Sequence, residues 1–321
     1  MLEFVNAKIN IGLQIVGKRE DGYHNLQTVF YPVGIKAGTA ENPEAFCDIL
    51  EITEEKTGET KRGKTGETGG TGETKGGETG ETEGTREGYL GMEFRFSGRR
   101  VDCPPEKNLV CRAARLFAES TGLEGRWLIH LDKHMPDGAG MGGGSADAAF
   151  ALRMLNAVTG AGLVDAELAA MASKLGADCP FFIHNRPMYA EGTGDLFEEI
   201  GLDLGGYFLL AVKPAVYIST KEAFAGVTPK PGEFDLREIA SLPIEKWRGK
   251  VKNDFEESIF PQFPITADIK EKLYKLGALY ASMSGSGSTL YGIFDNRESA
   301  EVARCQFKNE SNIEGTYLLD L

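Results

Sequence analysis

Residues 136–146, Pro136-Asp-Gly-Ala-Gly-Met-Gly-Gly-Gly-Ser-Ala146, decide how the rest of the chain is read. They follow Trp127-Leu-Ile-His-Leu-Asp-Lys133, which alternates apolar and polar residues as a half-buried strand does. They lead into an alanine-rich segment where Ala148, Ala149, Leu152 and Leu155 recur at helical spacing. The order is therefore strand, glycine loop, helix. Glycines let a backbone approach a ligand closely, and the first amides of a helix have no partner within it, so this loop suits an anion. A GxxxxGK[ST] phosphate loop has its frame from Gly138 to Ser145, but Gly144 stands where the lysine is required. A GxGxxG dinucleotide fingerprint matches at Gly138, Gly140 and Gly143, with Asp165 downstream. Against that match, His130, Asp132 and Lys133 are unlike a fully buried parallel strand, and Asp165 reads as the N-cap of the next helix.

The 321 residues, 41% of them hydrophobic, suffice for two domains of ordinary size. A formal net charge of -13 argues against nucleic acid or an anionic membrane as partner, since both require a basic face. A small anion is not excluded, because helix N-terminal amides supply positive potential that net charge does not count. Cys47, Cys103, Cys111, Cys179 and Cys305 show neither CxxC pairs nor zinc spacing, and read as reduced, mostly buried thiols. The opening Met1-Leu-Glu-Phe4 has no basic region before an apolar one, and no run approaches a membrane span, so a soluble cytoplasmic protein is expected.

Residues 53–88 contain only Thr, Gly, Glu, Lys and Arg, with Thr-Gly-Glu-Thr at 57, 65, 71 and 79. That composition cannot offset its ordering entropy, and a disordered, low-complexity, solvated insertion is expected between paired strands at 45–52 and 89–96. Upstream, the alternation from Phe4 to Val16 puts Lys8 and Asn10 on one face of a strand and Ile9 and Ile11 on the other. Asn108 opens an amphipathic helix whose Leu109, Ala113, Leu116 and Phe117 point to a core. Further helices are predicted over 165–175, over 266–276 with Thr266 as cap, and after an Asp295–Glu298 capping box. An apolar strand is predicted directly after Asp178. Taken singly, Lys8 reads as a sheet-edge lysine with its head in water, His24 as a surface histidine and Asp178 as a turn residue.

Taken together, these segments resemble one family. Pro136, Gly140, Met141, Gly142 and Ser145 fit the Pro-x-x-x-Gly-Leu-Gly-Ser/Gly-Ser loop of the GHMP kinase superfamily. Ala7-Lys-Ile-Asn10, Asp21-Gly-Tyr-His24, Leu175 to Pro180, Pro214 to Phe224, Asn253-Asp-Phe255 and Ser284 to Ser288 follow in the order of the 4-diphosphocytidyl-2-C-methyl-D-erythritol kinase family. The resemblance implies a two-domain α+β GHMP fold, residues 1–160 binding ATP and 161–321 contributing to the substrate site, with the active site in the cleft between them. It implies transfer of a phosphoryl group from ATP, with magnesium, to the 2-hydroxyl of the methylerythritol moiety in non-mevalonate isoprenoid synthesis. Asp178 would accept the hydroxyl proton and Lys8 would position it. The loop Pro136, Asp137, Gly138, Ala139, Gly140, Met141, Gly142, Gly143, Gly144, Ser145 and Ala146 would hold the ATP phosphates, with Asn108 and Lys133 near the adenosine. Tyr23 and Phe224 would sandwich a cytosine that His24 hydrogen-bonds. Asn10, Thr220, Ser284, Gly285, Ser286 and Gly287 complete the expected substrate side. No metal ligand is implied beyond the ATP phosphates and Ser145. Met141 replaces the usual leucine and Ala146 a second serine, which touches only details of phosphate or magnesium contact. The alternatives are a homoserine- or mevalonate-type kinase, against which Tyr23, His24 and Phe224 argue, or a catalytically silent ligand-binding paralogue. Oligomeric state has no signature in the sequence.

Overall fold

A computed structural model describes residues 1–34, 46–55, 88–89, 91–101 and 103–321. The expected insertion lies outside the described residues except at its ends, and those ends are ordered: residues 53 and 54 finish one strand and residue 88 starts another. In chain order the first half holds β1 (Leu2–Val5), β2 (Ala7–Lys18), β3 (His24–Val33), β4 (Asp48–Glu54), β5 (Gly88–Tyr89) and β6 (Met92–Gly98). Then come α1 (Leu109–Thr121), β7 (Trp127–Lys133), α2 (Gly143–Thr159), α3 (Asp165–Ala172) and α4 (Cys179–His184). The second half holds β8 (Met188–Glu191), β9 (Leu196–Glu199), β10 (Phe208–Pro214), α5 (Thr220–Ala225), α6 (Phe255–Gln262) and α7 (Pro264–Lys275). It ends with β11 (Tyr280–Met283), β12 (Leu290–Phe294), α8 (Arg297–Phe307) and β13 (Ile313–Asp320).

Three sheets result, with strand orders β1-β4-β7-β6-β5, β2-β3-β8-β9 and β11-β12-β10-β13. The strands expected to pair across the insertion do not meet, because β7 lies between them, antiparallel to β4 and parallel to β6. The parallel neighbour arrives through the α1 crossover, which a reading of adjacent strands as a hairpin misses. Strands β8 and β9 join β3 in one sheet, so we propose a domain division near residue 205 in place of one at residue 160.

The twelve-residue strand β2 supplies two cores. Its partners on β3 step from Ile11 with Val29 directly to Leu13 with Thr28, leaving Gly12 as an extra residue in a bulge at φ +69°. One inserted residue reverses which face the following side chains take. Ile9 and Ile11 therefore enter the core shared with α1, α2 and α4, while Leu13 and Ile15 enter the core of the β10–β13 sheet. Lys8 and Asn10 share the second face with Leu13, and all three look into one cavity. Helix α2 is buried from Ala146 to Leu152, which accounts for its alanines: a helix packed on all sides needs small residues for close approach.

The predicted cap at Asn108 is present: its Oδ1 accepts from the amides of Val110 at 2.9 Å and Cys111 at 3.4 Å. Other boundaries shift. Asp165 is the first helical residue of α3 and Val164 the cap, its amide donating to Glu167. Thr266 lies inside α7, behind Phe263 and Pro264, and its hydroxyl donates back to the Phe263 carbonyl. Asn296, one residue beyond the predicted cap, receives the Ser299 amide at α8. The strand expected after Asp178 is instead the helix α4. A short apolar run carries no period that separates the two states, and Pro180 in its first turn pre-sets a helical φ.

All five cysteines are free thiols, with Cys47, Cys111 and Cys179 buried and Cys103 and Cys305 exposed. Burial pushes the Cys47 thiol up to about 12 and Cys179 up to about 11. Two thiols are therefore expected to react with a disulfide reagent in native protein, and the others only after unfolding. Rapid reaction of Cys179 under native conditions, read by peptide mass mapping, would contradict this packing.

Candidate active site

The start of α2 forms one wall of a cavity of about 920 Å³. Gly142, in the left-handed region at φ +73°, stands at the N-cap, and no side chain caps the helix. Its first amides thus point outward without a partner from the helix, at the positive end of the dipole. Gly140 makes the loop possible: a Cβ there would lie 2.2 Å from the Ser284 carbonyl oxygen. The loop is fastened from three sides, by the Lys8 amide on the Met141 carbonyl (3.0 Å), the Thr289 amide on Ala139, and the Ser284 hydroxyl on Gly140 (2.8 Å). Asn253 fixes the second glycine loop, its Nδ2 donating to the carbonyls of Met283 and Gly285.

Lys8 is buried, and its Nζ donates to Asn10 Oδ1 at 2.6 Å and lies 3.3 Å from Asp178 Oδ2. Asn10 is held in turn by its Nδ2 on the Thr28 hydroxyl, which donates to the Gly12 carbonyl of the bulge. The ammonium also sits 4.8 Å from the centre of the Phe30 ring. A buried ammonium requires such partners, so the sheet-edge reading of Lys8 does not hold. Asp178 is more open, its side chain 36% exposed at the start of α4. A fixed cation, a half-open carboxylate and the glycines that lead into α2 thus line one space.

The remaining predicted residues divide by location. Gly138, Gly140 and Gly142 line the cavity, as do Asn10, Tyr23, His24, Thr220, Phe224, Gly285, Ser286 and Gly287. Behind this lining, Pro136, Ala139, Met141, Ala146 and Ser284 are buried, Gly143, Gly144 and Ser145 half-buried, and Asp137 exposed. Asn108 is used as the α1 cap and lies off the lining, near Gly144 through Leu109. Lys133 is also off the lining, its Nζ 2.5 Å from Asp48 and 2.8 Å from Asp147, all three groups being buried. His24 lies stacked on Phe224, with centroids 5.0 Å apart and planes at 17°, while Tyr23 stands 67% exposed at the rim. Histidine therefore covers the Phe224 face in this structure, where the sequence reading places a base.

Several lining residues escaped the sequence reading. Tyr217 lies over Gly138, where a Cβ would meet its ring at 2.7 Å. Thr193, Gly194 and Asp195 come from the β8–β9 turn, and Arg19 and Lys221 add charge. Tyr217 and Lys221 fall inside the quoted 214–224 segment, but nothing local distinguishes them from surface residues.

An uncapped glycine-lined helix start beside a lysine–aspartate pair is an arrangement suited to phosphoryl transfer, as in a small-molecule kinase. The description "GHMP kinases N terminal domain" matches residues 108–186, and "GHMP kinases C terminal" matches residues 237–313. A protein of Parabacteroides distasonis named 4-diphosphocytidyl-2-C-methyl-D-erythritol kinase is 44% identical over 299 residues, covering 92% of each chain. The protein of that name from Bacteroides thetaiotaomicron is 42% identical, again over 92% of each. A crystal structure titled 4-(cytidine 5'-diphospho)-2C-methyl-D-erythritol kinase superposes with a TM-score of 0.73 at 27% identity, covering all of both chains. Homoserine kinase from Cytophaga hutchinsonii shares the fold, with a TM-score of 0.61 at 17% identity, covering 99% of this chain and 95% of that one. The chain belongs to the 4-diphosphocytidyl-2-C-methyl-D-erythritol kinase family of GHMP kinases. Among the described residues, no helix is long and apolar enough to cross a membrane.

Proposed function

We propose that this chain transfers the γ-phosphoryl group of ATP to the 2-hydroxyl of 4-diphosphocytidyl-2-C-methyl-D-erythritol, giving the 2-phosphate and ADP, in isoprenoid precursor synthesis. The reading is supported above all by one juxtaposition: the Lys8–Asp178 pair and the uncapped start of α2 share a cavity with Tyr23, His24 and Phe224. The first three features serve a phosphoryl donor and acceptor, and the aromatic end serves a base, which a small alcohol would not use.

In this reading the outward amides at the α2 start hold the donor phosphates. The acceptor oxygen bonds to the γ-phosphorus as the bond to the bridging oxygen breaks, its electron pair leaving with ADP. The hydroxyl proton passes to Asp178, which is required mainly late in such a transfer. Lys8 offsets charge on the transferring group from a position set by Asn10 and Thr28, so little reorganisation accompanies the reaction. Magnesium fits this donor set. It takes few protein ligands when phosphate oxygens are present. Ser145, in the first turn of α2, would be the hydroxyl to join it, and the ion would neutralise phosphate charge.

ADP release with ATP and magnesium, compared across the cytidylyl substrate, homoserine, mevalonate and galactose, tests the proposal. Release is expected with the cytidylyl substrate alone. Equal release with homoserine would overturn the base-recognition argument, and none with any alcohol would leave a silent binding protein.

A further inference from the structure

Helix α5 presents Thr220, Lys221 and Phe224 to the cavity, positions i, i+1 and i+4 that fall along one side of a helix. The two outer residues mark different ends of the space. Phe224 is stacked with His24, at the aromatic end. Thr220 lies 3.4 Å from the Ser286 hydroxyl, at the second glycine loop. Lys221 stands on the stretch of helix shared by both, where a molecule with its base on Phe224 and its chain running toward Ser286 would carry its phosphates.

Charge accounting in the cavity singles out the same residue. Its lining carries three acids, Asp21, Asp178 and Asp195, and three bases, Lys8, Arg19 and Lys221. Lys8 is engaged with Asp178, and Arg19 Nε donates to both Asp21 oxygens at 3.2 and 3.0 Å. Asp195 Oδ1 receives the Thr193 amide and hydroxyl at 2.9 and 2.8 Å. Among the described residues of the lining, Lys221 is the base with no carboxylate at ion-pair distance. Its neighbour Glu222 is turned to the Ser219 cap, accepting from that amide and hydroxyl. A cavity that takes a nucleoside diphosphate thus has one uncommitted ammonium to offer it.

We infer that Lys221 is a specificity-determining residue that binds the diphosphate of the cytidylyl substrate, not the phosphates of the donor. The inference rests on the substrate reading given above. The donor phosphates are assigned above to the amides at the α2 start, whereas Lys221 stands on α5, the helix that carries Phe224. Lys221 makes no contact that the fold requires, being exposed on a two-turn helix, so its replacement tests binding without testing folding.

The experiment measures KM for the cytidylyl substrate and for ATP in the wild type, Lys221→Met and Lys221→Arg. A charged hydrogen bond to phosphate, partly exposed to water, corresponds to a loss of about tenfold. Lys221→Met is expected to raise the KM of the cytidylyl substrate by that factor, with the ATP KM and the melting midpoint unchanged. Lys221→Arg is expected to restore most of the loss. An unchanged substrate KM, or an equal rise for ATP, would overturn the inference. Absence of turnover by the wild type would overturn the substrate reading instead, and calorimetric titration with CDP and with cytidine then reads the lysine directly. Weaker CDP binding by the Met variant at equal cytidine binding supports the inference; equal CDP binding rejects it.

Discussion

Asp178→Asn is expected to lower turnover by about 10²- to 10⁴-fold, the range typical of a lost general base, while nucleotide affinity stays nearly unchanged. The substitution is nearly isosteric and removes the group that accepts the hydroxyl proton. It leaves the α2 start untouched, and Lys8 keeps its 2.6 Å bond to Asn10, so the ammonium does not lose its placement. Because the Asp178 side chain is 36% exposed, the change should cost the fold little. The decisive comparison is single-turnover phosphoryl transfer beside calorimetric nucleotide binding. Full turnover in the variant would remove Asp178 from the chemistry; loss of nucleotide binding would assign it to the phosphate site.

Lys133→Met is expected to destabilise the protein by about 3–5 kcal/mol, because it leaves two buried carboxylates without their shared cation. Asp48 also accepts from the amides of His134 and Met135, so the pair ties β4 to the turn that enters the glycine loop. Asp147 Oδ1 already lacks a partner. Burial pushes the Asp147 carboxyl well above the ordinary carboxylate range, against the pull of Lys133. Burial alone would lower Lys133, but Asp147 and Asp48 together hold its pKa above the ordinary lysine value. The sign for Asp147 follows from its raised folded-state pKa. Its contribution is full below the unfolded carboxylate pKa of about 3.9 and is lost as pH rises through the folded value. Without Lys133 the folded-state value rises further, so the variant loses more than the wild type as pH rises, and its deficit should be larger at pH 7 than at pH 5. Scanning calorimetry at the two pH values checks this, with a drop on the order of 10 °C expected at pH 7. A midpoint equal to the wild type at pH 7 would show that the buried pair contributes nothing net, and would reopen Lys133 as a nucleotide contact.

Some of the site is legible residue by residue. The glycine loop between an alternating strand and an alanine-rich run specifies an amide-lined helix start, since closeness and unpaired amides are local properties. The Asn108 cap is equally local. Tyr23, His24 and Phe224 line one cavity, with His24 stacked on the Phe224 ring. The Thr193–Asp195 turn and Lys221 carry no local mark, because they reach the cavity only after β9 pairs with β8 and α5 folds against the second glycine loop. Lys133 illustrates a related point: a lysine beside a phosphate loop looks the same in sequence whether it faces a nucleotide or two buried acids.

By itself, the sequence determined the strand–loop–helix unit, the family through the order of its motifs, and the candidate pair Lys8 and Asp178. These rest on neighbours a few residues apart, whose spacing and backbone freedom are written in the chain. Tertiary structure alone decided that β7 separates β4 from β6, that the 179–184 run is a helix, and that the Gly12 bulge turns one alternating strand toward two cores. It also buried Lys8 and brought it to 3.3 Å from Asp178, 170 positions away. Pairing and burial depend on contacts distant in sequence, and those are set when the whole chain packs.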